Sequence, residues 1–246
     1  MTPTPMESVD RRVLGGFVFV DAITGSSIPR PLPVSSAQLT LKANRSGVYA
    51  IFNGPGFSPL TNELIPSGTW PAPQNFAISV SDPSLTYLAR RAQIQAPQSL
   101  TGVFTPQQVK LYPGPGSTPE ANWAVVRASV TSSAGAGLPW AIVQVLLTAN
   151  TVAATGMTDA RGEALLAVMG MGIQVSSKAT DPVTDSTTPV TVQAWFDPSV
   201  LAQPAGWIPN PDDILSNLSN PSLKTGTQTG ALGARQTLFA AVTVSV

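Results

Sequence analysis

Acidic side chains near turns are the residues of this sequence best able to support chemistry. Asp181, Asp185 and Asp197 lie in segments rich in Thr and Pro, and carboxylates in loops can bind calcium. Asp159 and Glu163 suggest a second chemistry, that of the carboxylate pair of a glycosidase. The first set matches no complete calcium loop, and the second flanks a predicted tight turn. Because Asp is itself favoured in turns, we interpret both sets as structural and predict neither catalytic residues nor a metal site.

The sequence contains no histidine and no cysteine. Histidine is the side chain used most often for proton transfer near neutral pH, and cysteine supplies thiolate nucleophiles and metal ligands. Their absence excludes Ser-His, Cys-His and His-ligated zinc mechanisms within this chain. The segment Gly114-Pro-Gly116 is not followed by the Gly-Lys-Ser/Thr of a phosphate loop. We therefore predict that the protein is not an enzyme and needs no cofactor.

The low charge of the chain limits the partners that it can bind. Its 246 residues include 13 basic and 13 acidic side chains, and only 11% are charged, against roughly 25% in ordinary globular proteins. Such a surface offers little to nucleic-acid phosphates or anionic lipids, so we predict no nucleic-acid partner and no membrane insertion. Two interpretations of the surface stay open: Ser, Thr, Asn and Gln solvate it, or partner proteins cover much of it.

The first residues of the sequence and its most apolar stretch both indicate where in the cell the protein is located. Residues 1–11 lack the basic segment and apolar run of a secretory signal, and we expect a flexible lead there. The stretch 138–157 is interrupted by polar side chains and falls short of the roughly 20 apolar residues of a membrane span, so a pair of buried strands is expected instead. These observations predict a protein assembled in the cytoplasm.

The distribution of proline and glycine predicts an all-β protein. Twenty-four prolines and twenty glycines divide the chain into short apolar runs that suit strands better than core helices. The clearest local prediction is a hairpin, with strands at 38–42 and 48–52 joined by a turn at 44–47. Further strands are predicted at 17–20, 75–81, 87–94, 109–112, 123–130, 140–147, 164–169, 189–196 and 237–246.

The same distribution of proline and glycine predicts two β-sandwich domains of transthyretin-like or immunoglobulin-like type with long Pro/Gly-rich loops. A proline-stiffened linker at 114–119 separates a domain at 12–113 from one at 120–246. The second domain is predicted to contain a long loop at 197–236. One short helix is expected within it, because Asn210 can cap and Pro211 suits the first helical position.

Loop aromatics are the candidate contact residues. Trp123, Trp140 and Trp195 lie in apolar runs and are predicted to be core, whereas Trp70 and Trp207 lie in loops. Loop tryptophans are used to stack on sugars and to anchor protein interfaces, and the sequence does not separate these two uses.

The segment around Trp207 has two interpretations. Together with Ile208, Ile214 and Leu215, it either forms a docking arm or completes the second core. Asn, Ser, Thr and Gly dominate the segment, which favours the arm. The candidate interface residues are therefore Trp70, Trp207, Ile208, Ile214 and Leu215.

The turns of the sequence resemble those of a known family. The segment 16–25 ends in Asp-Ala-Ile-Thr-Gly, and the segment 137–163 contains Gly-Leu-Pro followed by Thr-Asp-Ala-Arg-Gly-Glu. Both resemble the turns of carboxypeptidase regulatory-like, or transthyretin-like, β-sandwich repeats. The resemblance covers about half of the chain and concerns turn residues, which indicate fold rather than function.

The arrangement as a whole resembles accessory proteins of contractile phage tails and tail-like injection particles. This resemblance implies a structural subunit at the baseplate, collar or exterior of a particle, oligomeric in the assembly and contacting other subunits. The alternative is a β-sandwich module that binds a surface glycan or a host protein. The family's turns are structural, so the resemblance implies no functional residue.

Overall fold

We describe the protein from a computed structural model, which covers residues 13–57, 72–99, 104–148, 151–171, 187–204 and 206–246. Strands account for 48% of the chain and helix for 6%, which confirms the all-β prediction. The described residues form fourteen strands. They are β1 (Gly15–Asp21), β2 (Val34–Ser35), β3 (Thr40–Ala43), β4 (Val48–Asn53), β5 (Gln74–Val80), β6 (Arg90–Ala96), β7 (Gln107–Leu111), β8 (Ala124–Ser132), β9 (Ile142–Leu146), β10 (Val152–Met157), β11 (Glu163–Val168), β12 (Thr187–Phe196), β13 (Lys224–Gly233) and β14 (Thr237–Val244).

The strands assemble into four sheets. The first seven form the sheets β3-β4-β1-β7 and β2-β5-β6, and the last seven form β10-β9-β12-β13 and β11-β8-β14. The predicted hairpin is confirmed, because β3 and β4 pair in antiparallel fashion around the turn at 44–47. The strand pair predicted within 138–157 is present as β9 and β10, but only β9 is buried along its whole length, whereas β10 is buried only at Gly156 and Met157.

The predicted loop at 197–236 is wrong in its second half. The ten residues Lys224–Gly233 form strand β13, which pairs with β12 along its whole length. Thr, Gly and Gln dominate this strand, so it lacks the apolar alternation that marks a strand in sequence. Within the remaining segment a short α-helix, α1, spans Pro211–Leu215, with Asn210 as its N-cap as predicted.

The chain divides into two compact units. The first takes its described residues from Met1–Val20, Ser27–Val80 and Ala92–Val109, and the second from Asp21–Ser26, Ser81–Arg91 and Lys110–Val246. The second unit thus includes short segments that precede the predicted linker. The domain limits at 12–113 and 120–246 stay a prediction.

An aromatic group lies in the core of the first unit. Phe17 and Tyr49 stack with ring centroids 4.9 Å apart, and Phe19 meets Tyr49 edge-on. The buried Tyr49 hydroxyl donates to the Leu32 carbonyl at 2.6 Å and accepts from the Leu32 amide. Burial raises the pKa of Tyr49. The hydroxyl is therefore a structural tie between β4 and the segment before β2.

The core of the second unit lies between its two sheets. Buried side chains of β8 and β14 share one hydrophobic cluster with those of β9 and β12, which gives this unit a sandwich-like character. Strand β14 joins β8 in parallel, with Thr237 opposite Val125 and Val244 opposite Ser132. The terminal strand was predicted, but its parallel partner lies more than a hundred residues earlier and could not be chosen from local pattern.

The first family-like turn is held by Asp21. One carboxylate oxygen accepts from the amides of Ile23 and Thr24 at 2.9 and 2.8 Å, and the other accepts from the Tyr87 hydroxyl at 2.9 Å. Gly25 takes a positive φ of 70° and donates to the Asp21 carbonyl. Asp21, Thr24 and Gly25 thus each stabilise this turn.

The second family-like turn is held by Thr158. Its hydroxyl is fully buried, donates to the Leu138 carbonyl at 2.9 Å and accepts from the Ala141 amide at 2.8 Å. Gly162 has a φ of 85°, and its carbonyl accepts a hydrogen bond from the Val130 amide at 2.8 Å. The motif therefore connects the start of β11 to the turn that follows β8.

Candidate functional site

A groove of about 450 Å³ lies on the outer face of the β11-β8-β14 sheet, within the second unit. Its floor is formed by the outward side chains of three adjacent strands, and Pro115 and Gly116 form one wall. The volume lies within the range of small-ligand sites, roughly 300–1,000 Å³. The lining side chains with chemical character are Arg127, Ser129, Arg161, Glu163 and Phe239.

Strand register explains why these side chains meet. Phe239 pairs with Arg127 across the parallel β14–β8 ladder, and Glu163 pairs with Ser129 across the antiparallel β11–β8 ladder. Side chains alternate between the two faces of a strand, so their neighbours, such as Ala128, point into the core. The groove therefore follows directly from pairing three segments that are distant in sequence.

The wall of the groove is fixed by the residues predicted to be a linker. The amide of Gly114 donates to the Thr86 carbonyl at 2.8 Å, and Arg127 Nη1 donates to the Pro115 carbonyl at 2.7 Å. The segment is thus hydrogen-bonded within the second unit. Its position beside the sheet converts an open face into a groove.

The carboxylates considered for hydrolysis form part of a turn. Asp159 Oδ1 accepts from the amides of Arg161 and Glu163 at 2.8 and 3.0 Å. The Arg161 guanidinium lies 3.1 Å from Asp159 Oδ2 and 3.0 Å from Glu163 Oε2. The hydrogen bond that Arg161 donates to Asp159, followed by the charges of both carboxylates, raises the pKa of Arg161. The geometry agrees with the structural interpretation made from the sequence.

The groove is suited to noncovalent recognition. It combines an aromatic ring that is 74% exposed, a guanidinium, a carboxylate that is half exposed and a hydroxyl. Together these groups supply an apolar face, hydrogen-bond donors and hydrogen-bond acceptors. No protein-family model and no curated protein matches this chain.

Four of the five predicted interface residues lie in the part of the chain that the structure describes. Trp70 lies outside the described residues, and Trp207 and Ile208 are half-buried. Ile214 is buried, 8% exposed, and Leu215 packs against the same cluster. Contact of these residues with a partner stays a prediction, but Ile214 cannot make one without leaving the cluster.

Helix α1 covers the outer face of the other sheet in this unit. Ile214 belongs to a hydrophobic cluster with Ile142, Met157 and Trp195, and the register places Ile142 beside both of the others. This part of the segment thus contributes to a core, as the alternative interpretation expected, while the docking arm itself stays a prediction. The low apolar content of 197–236 favoured the arm, although Ile214 and Leu215 pack in the cluster beneath α1 and Leu232 of β13 lies in the main core.

A buried arginine holds the start of α1. Arg90 is 1% exposed, and its guanidinium forms an ion pair with Asp212 and donates to Asn210 at 3.2 Å and to the Lys110 carbonyl at 2.7 Å. The Arg91 amide also donates to the Pro209 carbonyl at 2.7 Å. A buried charge needs such partners to be tolerated. This cluster is a structural clamp that sequence analysis did not predict.

Three earlier predictions concern metal, core tryptophans and membranes. Asp181 and Asp185 lie outside the described residues, while Asp197 accepts from the Ser199 amide and caps a 3₁₀ helix at Pro198–Ala202. Within the described ranges, no group of three potential metal ligands occurs, and no helix is long and apolar enough to cross a membrane.

Trp195 is buried as predicted, but Trp123 and Trp140 are only half-buried.

Sequence analysis missed the groove, although one signal was available. In 237–244 the apolar residues Leu238, Val242 and Val244 occupy even positions and so lie on one face of the strand, whereas Phe239 lies on the other face. A large aromatic on the polar face of an amphipathic strand indicates an exposed ring. Its neighbours Arg127 and Glu163 could not be identified, because they belong to other strands.

Alkaline pH provides a test of the cluster beneath α1. Burial raises the pKa of Tyr112 from 10.0 to about 12, while Arg90 lowers it and Asp212 raises it. A raised pKa favours the neutral phenol in the folded state. Its contribution to the free energy of unfolding is complete below pH 10 and is lost as pH rises from about 10 to about 12, by roughly 2–3 kcal/mol.

The measurement is urea unfolding of the wild type and of Tyr112→Phe, followed by tryptophan fluorescence, at intervals across this pH range. The variant cannot ionise at this position, so it should lose less stability than the wild type. Lysines titrate equally in both proteins and cancel in the comparison. Parallel losses in the two proteins would contradict the assignment to Tyr112.

Proposed function

We propose that this chain is a non-enzymatic structural subunit of a phage tail or contractile tail-like particle, located at its baseplate, collar or exterior. We also propose that its two units are transthyretin-like or immunoglobulin-like β-sandwiches. The observation that carries the particle assignment is the low charge of the chain. The sandwich assignment is supported by the geometry of the two turns around Asp21 and Thr158. Their side chains have the structural uses that the resemblance to carboxypeptidase regulatory-like repeats implies.

Surface properties support an assembly role. The chain has zero net charge and few charged residues, and such proteins tend to associate. Several large apolar side chains are exposed, among them Leu85, Phe104 and Leu201 at 77%, 87% and 58%. Single exposed apolar residues are common, but on a weakly charged protein they are also suitable contact points for other subunits.

A second candidate function is that of a binding module for a surface glycan or a host protein. The groove around Phe239 favours it, because the groove presents an aromatic ring together with paired donors and acceptors. The two candidates are compatible, since an exterior subunit of a particle can also bind a ligand.

Co-purification tests the first candidate. A tagged copy of the chain is produced in its source cells, and particles are separated from free protein by density-gradient centrifugation. We expect the tagged chain to sediment with sheath and tube proteins in a constant ratio across independent preparations. A tagged unrelated cytoplasmic protein is the control. If the chain stays with the control at the top of the gradient, the particle assignment is wrong.

A further inference from the structure

We propose that the groove on the β11-β8-β14 sheet binds a neutral glycan, with one sugar ring lying against Phe239. The inference rests on the second candidate function and does not require membership of a particle. It specifies the ligand class and the residues that recognise it, neither of which the turn motifs indicate.

The aromatic ring supplies the first argument. Phe239 is 74% exposed, whereas the residues on the opposite face of its strand are buried or, at Leu238, half-buried. An exposed phenylalanine alone needs no explanation. This ring, however, borders a groove and lies beside Arg127 in register. The C–H face of a pyranose is apolar and packs well on an aromatic ring, because both surfaces are flat and gain from leaving water.

The polar groups supply the second argument. Arg127 uses Nη1 for the Pro115 carbonyl and retains other N–H donors. Glu163 receives Arg161 at Oε2, which leaves acceptor capacity on its carboxylate. Ser129 lies between these groups on β8 and can both donate and accept. A sugar hydroxyl also donates and accepts, so a polyhydroxylated ring can satisfy all three groups at once.

The charge balance indicates a neutral sugar. The guanidiniums of Arg127 and Arg161 and the carboxylate of Glu163 line the groove, and Asp159, which lies next to it, pairs with Arg161 as Glu163 does, so that two positive and two negative charges lie in or beside the groove. An acidic ligand would be repelled by the carboxylate of Glu163, and a basic ligand would be repelled by the guanidinium of Arg127. Neighbouring strands are about 4.8 Å apart, so groups on β11 and β14 are separated by about two such spacings, which suits one or two sugar rings.

The scarcity of large apolar side chains favours a glycan over a protein partner. Protein interfaces are centred on several large anchors in dry pockets. Here the large apolar contribution is Phe239, accompanied by small residues such as Ala241 and Gly116. A groove with one large ring, small apolar residues around it and a few polar side chains is better matched to a ligand that combines one apolar face with many hydroxyls.

The experiment titrates the full-length protein with cellohexaose, maltohexaose and chitohexaose, using calorimetry and protein NMR at millimolar sugar. We expect at least one of these neutral oligosaccharides to bind saturably. Phe239→Ala should weaken that binding by about tenfold or more, and Glu163→Gln should weaken it as well. Both positions are exposed, so circular dichroism should show that the variants remain folded.

Phe104→Ala is the matched control, because it removes an equally exposed phenylalanine that does not line the groove. Its affinity should equal that of the wild type. The proposal is overturned if none of the three sugars binds, if Phe239→Ala binds as well as Phe104→Ala, or if only the charged hexamer of galacturonic acid binds. A chain that fails these titrations but sediments with the particle would leave the first candidate function intact.

Discussion

Replacing Gly162 with alanine is expected to destabilise the second unit by about 4 kcal/mol, a large part of the roughly 5–15 kcal/mol that stabilises a typical domain. Gly162 has a φ of 85°, which costs an alanine roughly 1–2 kcal/mol. An added Cβ would also lie 2.5 Å from the Val130 carbonyl oxygen and 2.7 Å from the Leu138 amide nitrogen. Both are backbone atoms, the first within β8 and the second just after the turn that follows β8, so they cannot move aside cheaply.

Gly135→Ala is the matched control for this substitution. Gly135 lies in the same unit and has nearly the same φ, 83°, but nothing lies within 4 Å of its added Cβ. It should lose only the conformational part, about 1 kcal/mol. Urea unfolding followed by tryptophan fluorescence measures the difference, because Trp123, Trp140, Trp195 and Trp207 all belong to this unit. Equal unfolding midpoints for the two variants would show that the turn tolerates a side chain.

Ile214→Asp is expected to have a comparable effect, about 4 kcal/mol. The substitution removes an apolar side chain that packs with Ile142 and Trp195 and places a carboxylate where only 8% of the side chain is exposed. The nearby guanidinium of Arg90 already pairs with Asp212. The measurement is again urea unfolding with fluorescence detection, in which Trp195 reports directly on the cluster.

Leu201→Asp serves as the control, because Leu201 precedes α1 in the same segment but is 58% exposed. Its free energy of unfolding should change by no more than about 0.5 kcal/mol. If Ile214→Asp unfolds at the same urea concentration as the wild type, the docking-arm interpretation is supported. Deleting residues 206–229 would be a poorer test, because that deletion also removes the first part of β13.

Particular residues show how far the sequence alone can be interpreted. The hairpin at β3 and β4, the turns at Asp21 and Gly162, and the cap at Asn210 were all predictable. Each depends on residues within a few positions of one another, whose backbone preferences are local. The strand at Lys224–Gly233 was not predictable, because its stability comes from pairing with β12 rather than from its own pattern.

The groove and the clamp depended on tertiary structure throughout. Arg127, Glu163 and Phe239 become neighbours only when β14 adds to β8 in parallel and β11 in antiparallel fashion. Arg90 meets Asp212 across more than a hundred residues. By itself the sequence determined the all-β class, the local turns and the exclusion of histidine and cysteine chemistry, because composition and short-range preferences decide these. Tertiary structure alone decided which side chains share a surface, since strand register is selected by burial of the whole core.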